Sequence, residues 1–437
     1  MLKVIETFSG IGAQAKALKN IGCDFKIIGT ADWDINAIIA YDLIHNGPQD
    51  LSKYEASTKE EMIAILDKYT LSNDGKVATE KKNIRRLSTE TLRRVCSAID
   101  RTNNYVSVTD MKGDQLPKDM NVLTYSFPCQ DLSVAHAWHG RTEGIDRSAG
   151  NRSSMLWQIE RILIERKDSI HRMPRFLLME NVPNIMSTTH NKNFNEWKKS
   201  LETLGYVNQP YILKADNFGS PQVRKRAYLI SVFVGDDNKL KDQVNEYFLS
   251  NNIQEKFVKK PKKRNFVSDY LRTDYSVLAL RHEANESQPS NTISRKRIFM
   301  ENVKLFDGKS KYSDYVPTIT TKQDRHPNSG VIIYPRAQPH KANYRYLTGR
   351  ECLLLMGFED QDFEAIMQGN FKKNVREYFF SNNKIVKLAG NSIVVPVLEE
   401  VFRQINDIDV KFMQKAETIE DTVNLGLFPA SGYEFAV

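Results

Sequence analysis

Cysteine is scarce and scattered in these 437 residues. The four, Cys23, Cys96, Cys129 and Cys352, form no CxxC pair and no His/Cys cluster. Such spacing argues against a structural zinc or a disulfide framework, and the expected location is cytoplasmic. No apolar run approaches the ~20 residues of a membrane helix. The opening MLKVIETF has no long apolar core of a secretory leader. Internal repeats and low-complexity tracts are missing too. What remains is a balanced globular composition, 41% hydrophobic and 27% charged. The length suffices for two domains and an ample core. A net charge of +8 and a pI near 9.0 permit a polyanionic partner without requiring one.

Strand and helix signals alternate through the first half. Leu2–Phe8, Phe25–Ala31, Val122–Phe127, Phe176–Met179 and Ala227–Val234 read as buried strands. Ala13–Asn20, Ile35–Ile44, Met155–Ile164 and Phe194–Leu204 read as helices. This rhythm predicts an α/β fold with a doubly wound, mostly parallel sheet. Residues 50–104 interrupt it as a polar helical insertion, more readily a solvated face than a nucleic-acid contact despite KKNIRRLSTETLRRV. From Lys256 to Lys304 there are twelve Lys/Arg against five Asp/Glu, so a second, basic and irregular domain is expected. The expected division is 1–235, 236–344, a return at 345–407 with helices near Thr348–Met356 and Val394–Ile405, and a loosely packed tail, 408–437.

Four strand ends carry polar chemistry. Val122–Phe127 stops at Pro128-Cys129-Gln130, which places a thiol at the sheet edge where α/β folds hold ligands. Alone, a cysteine is more often a small buried hydrophobe than a nucleophile. Phe8-Ser9-Gly10-Ile11-Gly12 is a weak glycine turn between strand and helix. Asp32-Trp33-Asp34 follows twenty residues after Gly12; an acid there can accept from ribose hydroxyls, and Trp33 can cover an adenine. Glu180-Asn181-Val182-Pro183 ends a buried strand, where desolvation raises a carboxyl pKa towards neutrality. In Gln222-Val223-Arg224-Lys225-Arg226, arginines two apart at a strand start are expected on one side, able to hold a phosphate, a base edge or the carboxylate.

Taken in order, these motifs resemble the DNA cytosine-5 methyltransferases. Phe8–Gly12 is similar to that family's cofactor loop, and Asp32-Trp33 to its ribose and adenine site. Asp110 is similar in place to the acid at the adenine amino group. Phe127–Gln130 resembles the nucleophile motif, Glu180–Val182 the ENV element, and Gln222, Arg224 and Arg226 the QxRxR element. Leu347–Phe358 resembles the late supporting helix, and Ala389–Ser392, with Asn391 and Ser392, the final motif beside the cofactor loop. Ala13 and Asp32 depart from the usual Gly and Glu, and the insertion at 50–104 is long for the family.

The resemblance implies a Rossmann-like methyltransferase fold with a target-recognition domain. It implies S-adenosylmethionine as cosubstrate, no metal, no membrane, and double-stranded DNA as partner, with a cognate restriction endonuclease possible. The implied reaction methylates C5 of a flipped-out cytosine. Cys129 adds at C6, Glu180 serves N3, Arg224 or Arg226 orients the carboxylate or thiol with Arg224 towards the base, and Gln130 and Asn181 position. Ser133–Arg152 reads as a mobile loop over DNA, with Trp138, His139 and Arg141 as candidates to fill the vacated stack. Pro317–Thr320 and Pro289–Ile293 are rival copies of a Thr-containing recognition element.

Overall fold

The computed structural model describes residues 1–128, 155–168 and 172–414. Cys129, Gln130 and the loop with Trp138, His139 and Arg141 lie outside the described residues. In chain order the first strands are β1 (Leu2–Thr7), β2 (Phe25–Ala31), β3 (Val122–Tyr125), β4 (Phe176–Asn181), β5 (Tyr206–Lys214), β6 (Gln222–Val223) and β7 (Lys225–Phe233). Six of them make one sheet, β2-β1-β3-β4-β7-β5. β3 and β4 are buried at every residue. That is why they read as unbroken apolar runs, the signature of strands covered on both faces.

β2, β1, β3 and β4 run parallel, so their carboxyl ends meet at one edge. β7 is antiparallel to β4 and β5. Its first residues, Lys225 and Arg226, therefore arrive at that same edge. The register places Asn181 opposite Ala227, which brings Arg226 beside the end of β4. β5 escaped the sequence reading because its YVNQPYILK pattern mixes polar residues and a proline into a half-covered edge strand.

Two apolar clusters cover the two faces. One holds Val4, Ile38, Ile39 and Leu398; the other holds Ile5, Leu123, Ile159 and Trp197. Helix α1 (Ala13–Asn20) and helix α2 (Ile35–Asn46) pack on the first face. The insertion packs there too: helix Thr89–Arg101 buries Leu92, Val95, Cys96 and Ile99. It is thus solvated on one side only.

Beyond β7, helices Asn238–Ser250 and Ile253–Lys259 bury Val244, Phe248 and Phe257 in the same cluster. Tyr247 donates to Asp407 at 2.6 Å. These helices, which follow the expected boundary at 236, pack with the central sheet. The following segment has a three-stranded sheet of β8 (Lys304–Phe306), β10 (Val331–Ile333) and β11 (Tyr344–Arg345). Between them, β9 (Val316–Pro317) pairs with β6. The buried Arg345–Glu351 pair, at 2.7 and 2.8 Å, ties that sheet to helix Gly349–Met356. The start of the expected tail is not loose: Asp409 is buried and pairs with Arg175 at 2.8 Å. Residues 415–437 lie outside the described set. No helix among the described residues is long and apolar enough to cross a membrane.

Candidate active site

A cavity of about 280 Å³ opens at the carboxyl edge of the sheet. Phe8 and Gly10 line it from β1, Asp32, Trp33 and Asp34 from β2, Phe127 and Pro128 from β3, and Glu180 and Asn181 from β4. Arg224, Arg226, Gly390 and Asn391 complete the wall. Motifs hundreds of residues apart thus share one space.

Of the glycine turn, only Phe8 and Gly10 face the cavity. Ser9, Ile11 and Gly12 do not line it. The Ile11 carbonyl lies 3.0 Å from His45 Nε2, and Gly12 starts α1 at φ 75°. A Cβ on Gly12 would fall 2.1 Å from that ring nitrogen, so glycine is required there for space as well as for backbone. Phe8 itself sits at φ 54°, uncommon for a non-glycine residue. Beneath the turn, Glu6 of β1 is wholly buried, and burial pushes its carboxyl up to about 7.

Asp32 accepts from the amides of Gly10 at 2.8 Å and Asp34 at 2.9 Å. Desolvation raises its carboxyl to about 6, with the Asp34 charge adding to the rise and the two amides opposing it. Asp34 caps α2 and pairs with Lys387 at 3.0 Å. Asp110 is exposed and does not line the cavity. Its neighbours Val106, Ser107, Val108 and Thr109 do, so a short hydroxyl-bearing stretch faces the cavity there. Val106 is held at φ 64°, its amide donating to Asn104 Oδ1 at 2.7 Å. The same oxygen accepts from the Asp32 amide at 3.2 Å. Neither Asn104 nor this stretch matched a motif; the polar SVT run after an aromatic was the available signal.

On β4, Glu180 is 9% exposed, and Arg226 Nε stands 3.3 Å from its Oε1. No hydrogen bond to Oε1 accompanies that ion pair among the described residues. Burial raises the Glu180 pKa, while Arg226 and, less, Arg224 pull it down. Asn181 Nδ2 donates to the Phe127 carbonyl at 3.1 Å, fixing the end of β3 two residues before Cys129.

The two arginines both line the cavity but are held differently. Arg224 falls between β6 and β7, outside the pleat, so the two-residue alternation does not apply. Its guanidinium donates to the carbonyls of Ile319 and Ser392, both at 2.9 Å, and of Gly390 at 3.4 Å. Gln222 reinforces this clamp by accepting from the Ile319 amide at 2.9 Å and donating to the Leu355 carbonyl at 3.1 Å. The pair thus anchors Pro317–Thr320, and a Cβ on Gly390 would lie 2.5 Å from the Thr320 carbonyl carbon. The rival Pro289–Ile293 lies elsewhere, where Ser290 bridges to Lys341 and Thr292 caps helix Ile293–Glu301. Asn391 lines the cavity, whereas Ser392 serves through its carbonyl. No cluster of three or more His, Cys, Asp or Glu suited to a metal occurs among the described residues.

A doubly wound sheet with a desolvated acid–guanidinium pair and a second acid at one edge defines a Rossmann-like methyltransferase fold. The family model for the C-5 cytosine-specific DNA methylase matches residues 91–407. The orphan methyltransferase M.SssI of Spiroplasma monobiae is 32% identical over 421 residues, covering 92% of this chain and 97% of that protein. The type II methyltransferase M2.ScrFI of Lactococcus lactis subsp. cremoris is 30% identical over 412 residues, covering 93% and 99%. Among solved structures, the S. pombe Dnmt2 methyltransferase superposes with a TM-score of 0.56 at 17% identity, covering 94% of this chain and 100% of that one. The Entamoeba histolytica methyltransferase EhMeth gives 0.55 at 18%, covering 94% and 99%. These two support the fold alone. The chain belongs to the C-5 cytosine-specific DNA methylases and is a DNA cytosine-5 methyltransferase.

Proposed function

We propose that the protein transfers the methyl group of S-adenosylmethionine to C5 of a cytosine flipped out of a specific duplex DNA sequence, through a Cys129 adduct at C6. The carrying observation is that Asp32–Trp33 and Glu180–Arg226 open into one cavity. The donor set fits the adenosyl group: a carboxylate acceptor for the ribose hydroxyls, an indole for the adenine face, and no side chain at Gly10. When bound, S-adenosylmethionine supplies an electrophilic methyl beside the base.

Cytosine C5 is too weak a nucleophile unaided, and addition of the Cys129 thiolate at C6 makes an enamine. Glu180, whose pKa burial raises, donates to N3 as electron density enters the ring. Arg226 holds that carboxyl in place, and Asn181 holds the Phe127 carbonyl, two residues before Cys129 in the chain. C5 then takes the methyl group as S-adenosylhomocysteine departs; loss of the C5 proton to solvent, return of the N3 proton to Glu180 and expulsion of the Cys129 thiolate release the methylated base. Such an atom is unreachable within a duplex, hence the flipped base. The basic segment after Lys256 supplies phosphate contacts, with Pro317–Thr320 as the recognition element anchored to the site. Relatives named as orphan and as type II methyltransferases support self-marking or restriction–modification, the latter with a cognate endonuclease.

The test is transfer of labelled methyl to unmethylated duplex DNA, with Cys129→Ser alongside and bisulfite sequencing of the product. Label at C5 in one short sequence, absent in the variant, is the expected result. Label in RNA alone would replace the DNA reading with an RNA one. No label in either, with DNA binding retained, would overturn the reaction.

A further inference from the structure

We propose that the insertion at 50–104 is a working part of the cofactor site, its segment 70–75 forming the adenosine-side wall and setting how tightly S-adenosylmethionine is held. The inference rests on the adenosyl assignment of that cavity. Thr70 and Gly75 line the cavity together with Asp32, Trp33 and Asp34. The segment is locked onto the end of β2 as an added strand would be. The Ser72 amide donates to the Trp33 carbonyl at 2.7 Å, and the Ile35 amide donates to the Ser72 carbonyl at 2.9 Å. Asn36 Nδ2 adds a bond to the Asn73 carbonyl at 2.9 Å. Leu71 and Ser72 are buried, so the segment is anchored rather than draped.

Lys387, on helix Asn382–Asn391, closes the arrangement. Its Nζ reaches Asp34 Oδ2 at 3.0 Å and the Asp74 carbonyl at 2.5 Å, joining β2, the insertion and the late helix at one point. Gly75 has φ 61°, and a Cβ there would fall 2.7 Å from Asp34 Oδ2. Glycine at this position keeps the wall close to the carboxylates. All these contacts are made with residues that directly follow Asp32 or with Lys387, and none of them with Glu180. The segment should therefore govern binding of the adenosyl half and leave the chemical step alone.

The experiment measures binding of S-adenosylhomocysteine to the full chain by calorimetry, with KM and kcat for methyl transfer alongside. Gly75→Val is expected to weaken binding at least tenfold and to raise KM for S-adenosylmethionine, with kcat within threefold. Lys387→Ala, which leaves the backbone bonds of 70–75 intact, is expected to weaken it three- to tenfold, with Lys387→Arg restoring most of the loss. Thermal melts identify a variant that has merely unfolded. Binding within twofold of the parent in both Gly75→Val and Lys387→Ala, while Asp32→Ala loses binding, would overturn the role of the insertion and leave the adenosyl reading standing. Unchanged binding in Asp32→Ala would instead remove the adenosyl reading, and this inference with it.

Discussion

Glu180 and Asp32 line one cavity from strands three places apart in the sheet, Glu180 within β4 and Asp32 directly after β2, and each has a pKa raised by desolvation. They are held differently. Glu180 has a guanidinium 3.3 Å away and an oxygen that accepts no hydrogen bond among the described residues. Asp32 has both oxygens engaged by the backbone amides of Gly10 and Asp34. A counter-charge without a fixed hydrogen bond leaves a carboxyl able to exchange a proton. Two amides leave it fixed as an acceptor. On the proposed function, the same residue chemistry is divided into an acid and a holder by what the neighbouring backbone offers.

The sharpest way to break this contrast is Glu180→Gln. It should lower methyl transfer by about 10²- to 10⁴-fold while S-adenosylhomocysteine binding is kept, since proton donation alone is lost. Single-turnover rates against pH check it. The protonated acid is the active form, so the parent rate should fall as pH rises through the raised Glu180 pKa. That alkaline limb should vanish in the variant. A limb that persists would assign the acid elsewhere.

Arg226→Ala is expected to slow transfer by about 10- to 100-fold and to move the same limb to higher pH, because a cation that lowers the Glu180 pKa is gone. Arg226→Lys should return part of both. Asp32→Ala should raise KM for the cosubstrate about 10- to 100-fold with little change in kcat, the mark of lost uniform binding. The ionised form is the acceptor at Asp32, so calorimetric affinity should fall as pH drops through about 6.

Glu6 sharpens the comparison from a third side: it is buried, forms no ion pair among the described residues, and is raised to about 7 by desolvation. A raised carboxyl favours the fold below its unfolded pKa, near 4.5, and that contribution is lost as pH rises through about 7. Glu6→Gln should flatten stability between these limits and raise it at pH 8, by up to about 3 kcal/mol. Urea titrations at pH 5 and pH 8 read this difference.

Much of the fold was legible because burial leaves a mark on composition. Ala13–Asn20 and Phe25–Ala31 have the bounds that periodicity gave them. Edge strand β5 and helix Asn382–Asn391 were not seen, since partial exposure and a polar start blur the period. Within the site, Asp32, Trp33, Glu180, Asn181, Arg226 and Asn391 came together as their motifs suggested. Asp110 did not, because position before a strand says nothing about which of several neighbours turns inward.

The sequence by itself determined which strands are buried, in what order their polar ends follow, and the family they compose. Local pattern and motif order suffice for that, because they are properties of neighbours in the chain. Only the tertiary structure decided that Arg226 rather than Arg224 pairs with Glu180, that Arg224 clamps Ile319 and Ser392, and that the insertion reaches the cavity through Thr70 and Gly75. Those assignments depend on the reversal of β7 and on contacts between residues tens to hundreds of positions apart, which no local period encodes.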